Sequence, residues 1–145
     1  MPASKYDIYA EQGSTLKLHL QYKTRAGLGI DLSGFSGEMQ VRRSIGDPQA
    51  VLWITSFGVW GGGTAGEFTI SEGGVTGIGG ISFGIGVTGA TGTTGGILIT
   101  VDDDTMARVP EGKHFYDLKI TNTLGESQRL LEGAFEVSPQ VTRAV

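Results

Sequence analysis

The sequence predicts an all-β fold: one β-sandwich domain over residues 1–145, with a long glycine-rich insertion at 58–96. Apolar residues recur at every second position in several short runs, and turn residues separate those runs. In mid-chain, glycine stands at every third residue, at Gly74, Gly77, Gly80, Gly86, Gly89, Gly92 and Gly95, with Phe83 breaking the register. Neither an ordinary helix nor a core strand accommodates that run. A chain of 145 residues suits one domain and buries a core without disulfides or metal.

Thr15 to Tyr22 alternates, with Leu16, Leu18, Leu20 and Tyr22 on one face and Lys17, His19 and Gln21 on the other. That is a strand with one buried face. Arg25-Ala26-Gly27 reads as a turn, and Ile30 to Phe35 leads into a strand where Gly37, Met39 and Val41 alternate with Glu38, Gln40 and Arg42. Asp47-Pro48 is a break, because proline restricts the preceding residue and lacks a donor. Val51 to Thr55 is apolar and rich in β-branched residues, which predicts a strand, and Phe68 and Ile70 continue the alternation.

Beyond the glycines, Ile97, Ile99 and Val101 alternate with Leu98 and Thr100, which predicts a strand covered on both faces. Asp102 to Val109 reads as one short helical turn, with Asp103 or Asp104 as its N-cap. Pro110-Glu111-Gly112 then turns the chain into a strand whose His114, Tyr116, Leu118 and Ile120 share one face. Gly125 sits in a hairpin turn, and the returning strand carries Leu131, Gly133, Phe135 and Val137 inward. Short strands joined by turns in this way suggest a sandwich.

Glycine inside an element costs about 0.5–1 kcal/mol relative to alanine. The tract therefore needs a local use for bare backbone, and close backbone approach or a mobile loop are the candidates. A collagen-like register would want proline, which the tract lacks. A surface loop or extended hairpin tip is the expectation.

Charge is segregated along the chain. Six of the 15 acidic side chains and none of the 11 lysines and arginines fall between Ser44 and Ala107. A net charge of −4 and the absence of a basic stripe argue against nucleic-acid binding. Without cysteine there is no disulfide, thiol nucleophile or cysteine-based metal site. The start of the chain lacks the apolar core of a signal peptide, and no apolar run is long enough to span a membrane, so a soluble protein made in the cytoplasm is expected.

Three motifs resemble chemistry. Gly84-Ile85-Gly86-Val87-Thr88-Gly89 matches a dinucleotide fingerprint in letters, but Ala90 to Gly96 cannot supply the helix that receives the pyrophosphate. Asp102-Asp103-Asp104 offers hard oxygen ligands without the further loop ligands and turn glycine of a calcium site, so a cap with solvated charges is the simpler reading. His19 lies on a polar face and His114 on an apolar one, and no serine sits in a strand-to-helix elbow near either. The expectation is no catalytic residue, no cofactor and no metal. Phe57, Trp60, Ile78, Phe83 and Ile85 are large apolar residues set among glycines, which marks them as candidate protein-contact residues or as side chains folded back onto the domain's own sheet.

The two ends of the chain carry a resemblance. At the start it lies in Tyr6-Asp7-Ile8-Tyr9-Ala10-Glu11-Gln12-Gly13, Asp31-Leu32-Ser33-Gly34-Phe35 and Met39-Gln40-Val41-Arg42. At the end it lies in Tyr116-Asp117-Leu118, Arg129-Leu130-Leu131-Glu132-Gly133, Phe135-Glu136-Val137-Ser138-Pro139 and Val141-Thr142-Arg143. Together these resemble small bacteriophage virion structural proteins, and in outline the N-terminal immunoglobulin-like domain of phage baseplate upper proteins. The resemblance implies an immunoglobulin-like β-sandwich and a non-enzymatic structural role in a virion. Docking on the tail or baseplate is expected, through strand edges and the glycine-rich loop, with other virion proteins and a homo-oligomer or symmetric array as partners. The alternatives are a capsid decoration protein and a host-surface binding module in which Trp60 and Phe83 stack on a sugar.

Overall fold

The computed structural model describes residues 4–22, 32, 34–62, 66–83 and 95–139. The protein is all-β and sandwich-like, with one short helix among the described residues. Its strands are β1 (Ser4–Lys5), β2 (Ile8–Glu11), β3 (Leu16–Gln21), β4 (Ser36–Arg42), β5 (Gln49–Ala50), β6 (Leu52–Thr55), β7 (Gly58–Gly61), β8 (Phe68–Thr69), β9 (Val75–Gly77), β10 (Gly79–Phe83), β11 (Gly96–Val101), β12 (Gly112–Thr121) and β13 (Ser127–Ser138). Helix α1 spans Asp103–Ala107, and a single 3-10 turn covers Ile70–Glu72.

The larger sheet runs β1-β13-β12-β4-β6-β7-β9, with β2 also pairing on β13. The smaller sheet runs β10-β11-β3, and β5 pairs with β8. Both first strands are parallel to β13, with Ser4 opposite Leu131 and Ile8 opposite Phe135. Their backbones interrupt at Tyr6 and Asp7, which pass over Gly133 so closely that a Cβ there would collide with the Tyr6 carbonyl.

The core lies where the two sheets face each other. Met39, Val41, Leu118, Ile120 and Phe135 from the larger sheet join Ile81, Ile97, Ile99 and Val101 from the smaller one in a single apolar cluster. Gly37 of β4 faces Ile81 and Phe83 of β10 so tightly that a Cβ there would lie 3.1 Å from the Ile81 side chain. Each fully buried aliphatic or aromatic side chain contributes about 1.5–3 kcal/mol relative to exposure. The burial alternation follows the period-2 pattern of the sequence: on β4 Gly37, Met39 and Val41 are buried, and on β12 His114, Tyr116, Leu118 and Ile120 are buried. The hairpin turn forms at Gly125, whose φ is 83°, and a register shift between Leu118 and Lys119 leaves Leu130 as a bulge on β13.

The glycine-rich region differs from the loop expected for it. Among its described residues are β7, β8, β9 and β10, which belong to three different sheets. Bare backbone is used for close approach: a Cβ on Gly77 would overlap the Thr105 side chain of α1. Gly80, with φ 147°, points where a Cβ would meet the Thr55 carbonyl at 3.0 Å. The alternation expected to run on from Phe68 stops at Ile70, which enters the 3-10 turn as Glu72 folds back to accept a hydrogen bond from the Thr69 amide at 3.2 Å. The cap of α1 is Asp102 rather than Asp103 or Asp104. The turn at Arg25-Ala26-Gly27, the fingerprint at Gly84 to Gly89, Ile85 and the tail from Gln140 to Val145 lie outside the described residues.

Candidate contact surface

β9 and β10 form a nearly continuous extended segment that leaves the larger sheet and joins the smaller one across a single residue, Ile78. Asp102, at the end of β11, fixes that crossing. Its amide donates to the Ile78 carbonyl at 3.0 Å, and its carboxylate accepts from the Ile78 amide at 3.2 Å. The Thr105 hydroxyl donates to the same carboxylate oxygen. Burial alone would raise the Asp102 pKa, but the Thr105 hydroxyl, the Ile78 and Thr105 amides and the Arg108 charge together hold it below the usual carboxylate range.

With its backbone held inward, the Ile78 side chain is pushed out and is 72% exposed. Phe57 is 90% exposed; Ile45, Leu124 and Tyr9 are exposed apolar side chains as well, at 87%, 81% and 72%. Phe57 sits in the turn between β6 and β7, where the Thr55 hydroxyl accepts from the Phe57 and Gly58 amides at 3.0 and 3.2 Å. Val59 pairs with Gly77, so Phe57 and Ile78 lie within two residues of the same rung. Both therefore stand exposed at the same end of the β7–β9 pairing, which we call the apolar corner.

The other candidates separate. Trp60 is half-buried and stacks on its cross-strand neighbour Trp53, with ring centroids 4.6 Å apart and planes inclined by 30°. The Trp53 indole N–H donates to Glu38 at 2.8 Å, so the pair is anchored in the polar outer face of the larger sheet. Phe83 packs against the core. Ile85 lies outside the described residues. Sequence reasoning missed Trp53, whose partnership depends on strand register, and named Asp102 in the acidic cluster without its hold on Ile78.

The polar candidates are occupied by local structure. The carboxylates of Asp102, Asp103 and Asp104 converge within 4.8 Å of one another, and they are the residues that could hold a cation. One Asp102 oxygen already serves Thr105 and Ile78, while Asp103 accepts from the Asp104 amide at 3.0 Å. His114 is fully buried and its Nε2 lies 2.7 Å from the Pro110 carbonyl, which makes that nitrogen the donor. Its Nδ1 has no partner among the described residues. His19 is exposed on β3, on a different sheet from His114.

Compared with protein-family models the chain matches none, and no curated protein matches it.

Proposed function

We propose that this chain is a non-enzymatic structural component of a bacteriophage virion, an immunoglobulin-like β-sandwich that docks on the tail or baseplate. The strand order supports the fold. β13-β12-β4-β6-β7 follows the G-F-C-C′-C″ order of a variable-type immunoglobulin sheet, and β3-β11-β10 follows B-E-D. The sequence resemblance at both ends of the chain supports the virion assignment.

The observation that carries docking is the apolar corner made by Phe57 and Ile78. Both residues are exposed, their backbone amides are fixed by the Thr55 hydroxyl and the Asp102 carboxylate, and aromatic and aliphatic residues presented this way suit burial against a neighbour. The test is cryo-electron microscopy of the intact particle, together with immunodetection of the chain in purified particles. Density on the tail or baseplate with the corner against a neighbour supports the reading. Density on the capsid lattice makes it a decoration protein, and absence from particles overturns it.

A second reading rests on the Trp53–Trp60 stack. Two half-buried indoles on an outer sheet face suit the apolar face of a sugar, which would make the chain a host-surface binding module. A glycan array comparing the native protein with Trp60→Ala separates the two readings.

A further inference from the structure

The outer face of the larger sheet carries a groove of about 440 Å³ over β4, β12 and β13. Its two ends differ in charge balance. At one end Lys5 pairs with Glu132 at 3.2 Å, and Arg129 pairs with Glu132 at 3.4 Å and with Asp117 at 3.9 Å. The cations there are neutralised. At the other end, Arg42 is held at 2.9 Å by the Asp47 carbonyl and at 2.6 Å by the Gln40 amide oxygen, both neutral acceptors. Lys113 lies 5.8 Å from the centre of the Phe115 ring, and Phe115 is the cross-strand partner of Arg42. Among the described residues no carboxylate lies within ion-pair distance of Arg42 or Lys113. The result is a positioned guanidinium and an ammonium flanking an aromatic floor, neither of them in an ion pair among the described residues, with Glu136 opposite Lys113 in the ladder as the adjacent carboxylate.

The same chain carries the complementary charge elsewhere. Ser44 to Ala107 contains no lysine or arginine, and its exposed Asp103 and Asp104 project at the start of α1 with no cation in ion-pair distance among the described residues. A guanidinium with unused donors binds a carboxylate more specifically than a lysine does.

We infer that the Arg42–Lys113 end of the groove receives the Asp103–Asp104 corner of a second copy of this chain. The contact is heterologous, because the two surfaces are different, so successive copies add head to tail and close into a ring or extend as a row. This deepens the assembly reading above, on which it rests, by naming one neighbour as the chain itself.

The test is sedimentation velocity of the full chain at low and high ionic strength, with two charge-reversal variants. One is Arg42→Glu with Lys113→Glu, and the other is Asp103→Lys with Asp104→Lys. The native protein is expected to associate at low salt and to dissociate as the screening length shortens from about 30 Å at 0.01 M to about 3 Å at 1 M. Each variant alone is expected to be monomeric, and the equimolar mixture is expected to associate again, because each then offers the surface the other needs. That recovery also shows that both variants are folded. A native protein that stays monomeric at low salt, or variants that associate as the native protein does, would overturn the inference. So would a mixture that stays monomeric while each variant keeps a cooperative thermal transition. Those failures leave the virion reading standing, which falls only if the chain is absent from particles.

Discussion

Asp102 grips Ile78 through both of that residue's backbone polar groups: the Asp102 amide donates to the Ile78 carbonyl at 3.0 Å, and the Ile78 amide donates to the Asp102 carboxylate at 3.2 Å. This reciprocal pair is what joins the crossing point between the sheets to the cap of α1.

Replacing Asp102 by Asn weakens three interactions at once, those with Ile78, Thr105 and Arg108. Asparagine keeps the N-cap and an acceptor oxygen but loses the negative charge, so a loss of about 1 kcal/mol is expected. The folded-state pKa of Asp102 is lowered. Its contribution is therefore present above the unfolded carboxylate pKa of about 3.9 and is lost as pH falls through the lower folded value. Urea midpoints of native and D102N proteins should converge as the pH drops below about 4. A constant gap across that range would contradict this assignment.

Gly77→Ala places a methyl group against the Thr105 side chain. Overpacking of this kind costs about 1–3 kcal/mol. Thr105→Ala, which removes the obstructing hydroxyl and methyl, should relieve part of that cost, so the double variant is expected to be more stable than the sum of the single effects predicts. Strict additivity in chemical denaturation would rule out the contact.

Tyr116 donates its hydroxyl to the Tyr6 carbonyl at 2.5 Å, linking β12 to the N-terminal strands. Burial, followed by the nearby Tyr6 and Asp7, raises its pKa. The neutral phenol is the stabilised form, so its contribution is complete below the unfolded value of about 10 and falls as pH rises above it. Tyr116→Phe should cost about 1 kcal/mol near neutrality. The variant should also lose part of the alkaline decline in melting temperature that the native protein shows.

Trp60→Ala removes one ring of the stack with Trp53. A loss of about 1–2 kcal/mol is expected from cross-strand and aromatic packing, with disappearance of the paired-indole signal in circular dichroism. A retained signal would mean the rings are not stacked in solution.

Phe57→Ser and Ile78→Ser change exposed side chains, so each should alter stability by no more than about 0.5 kcal/mol. Incorporation into particles, measured by quantitative immunoblotting of purified virions, should fall for both. Full incorporation of the double variant would remove the corner from the docking surface.

The strands that were legible in the sequence are those with one buried face. Leu16, Leu18 and Leu20 on β3 and His114 to Ile120 on β12 print the pleat directly as alternation. β9 and β10 were illegible for a physical reason. Glycine has no side chain to alternate, and the close approach that requires Gly77 comes from Thr105, far along the chain. The candidate surface was half legible: Phe57 and Ile78 stand out as large apolar residues among glycines, and both are exposed. Phe83 carries the same local signature yet packs on the core, because it alternates with Ser82 beside buried Ile81 on a strand that faces β4. The placing of Arg42 opposite Phe115, near Lys113, left no local mark, since it arises from the register of β4 against β12.

The parallel seating of the first strands on the last one has a consequence for biosynthesis. The Ala134 amide donates to the Asp7 carboxylate across 127 residues of chain, and among the described residues β13 is the strand partner of both β1 and β2. The segment carrying β1 and β2 must wait with its edge unsatisfied while those 127 residues are made. Closure of so long a loop is slow compared with hairpin formation. The hairpin of β12 and β13 is thus the template on which β1 and β2 settle, so a nascent chain stalled before Ser127 leaves those two strands exposed to aggregation.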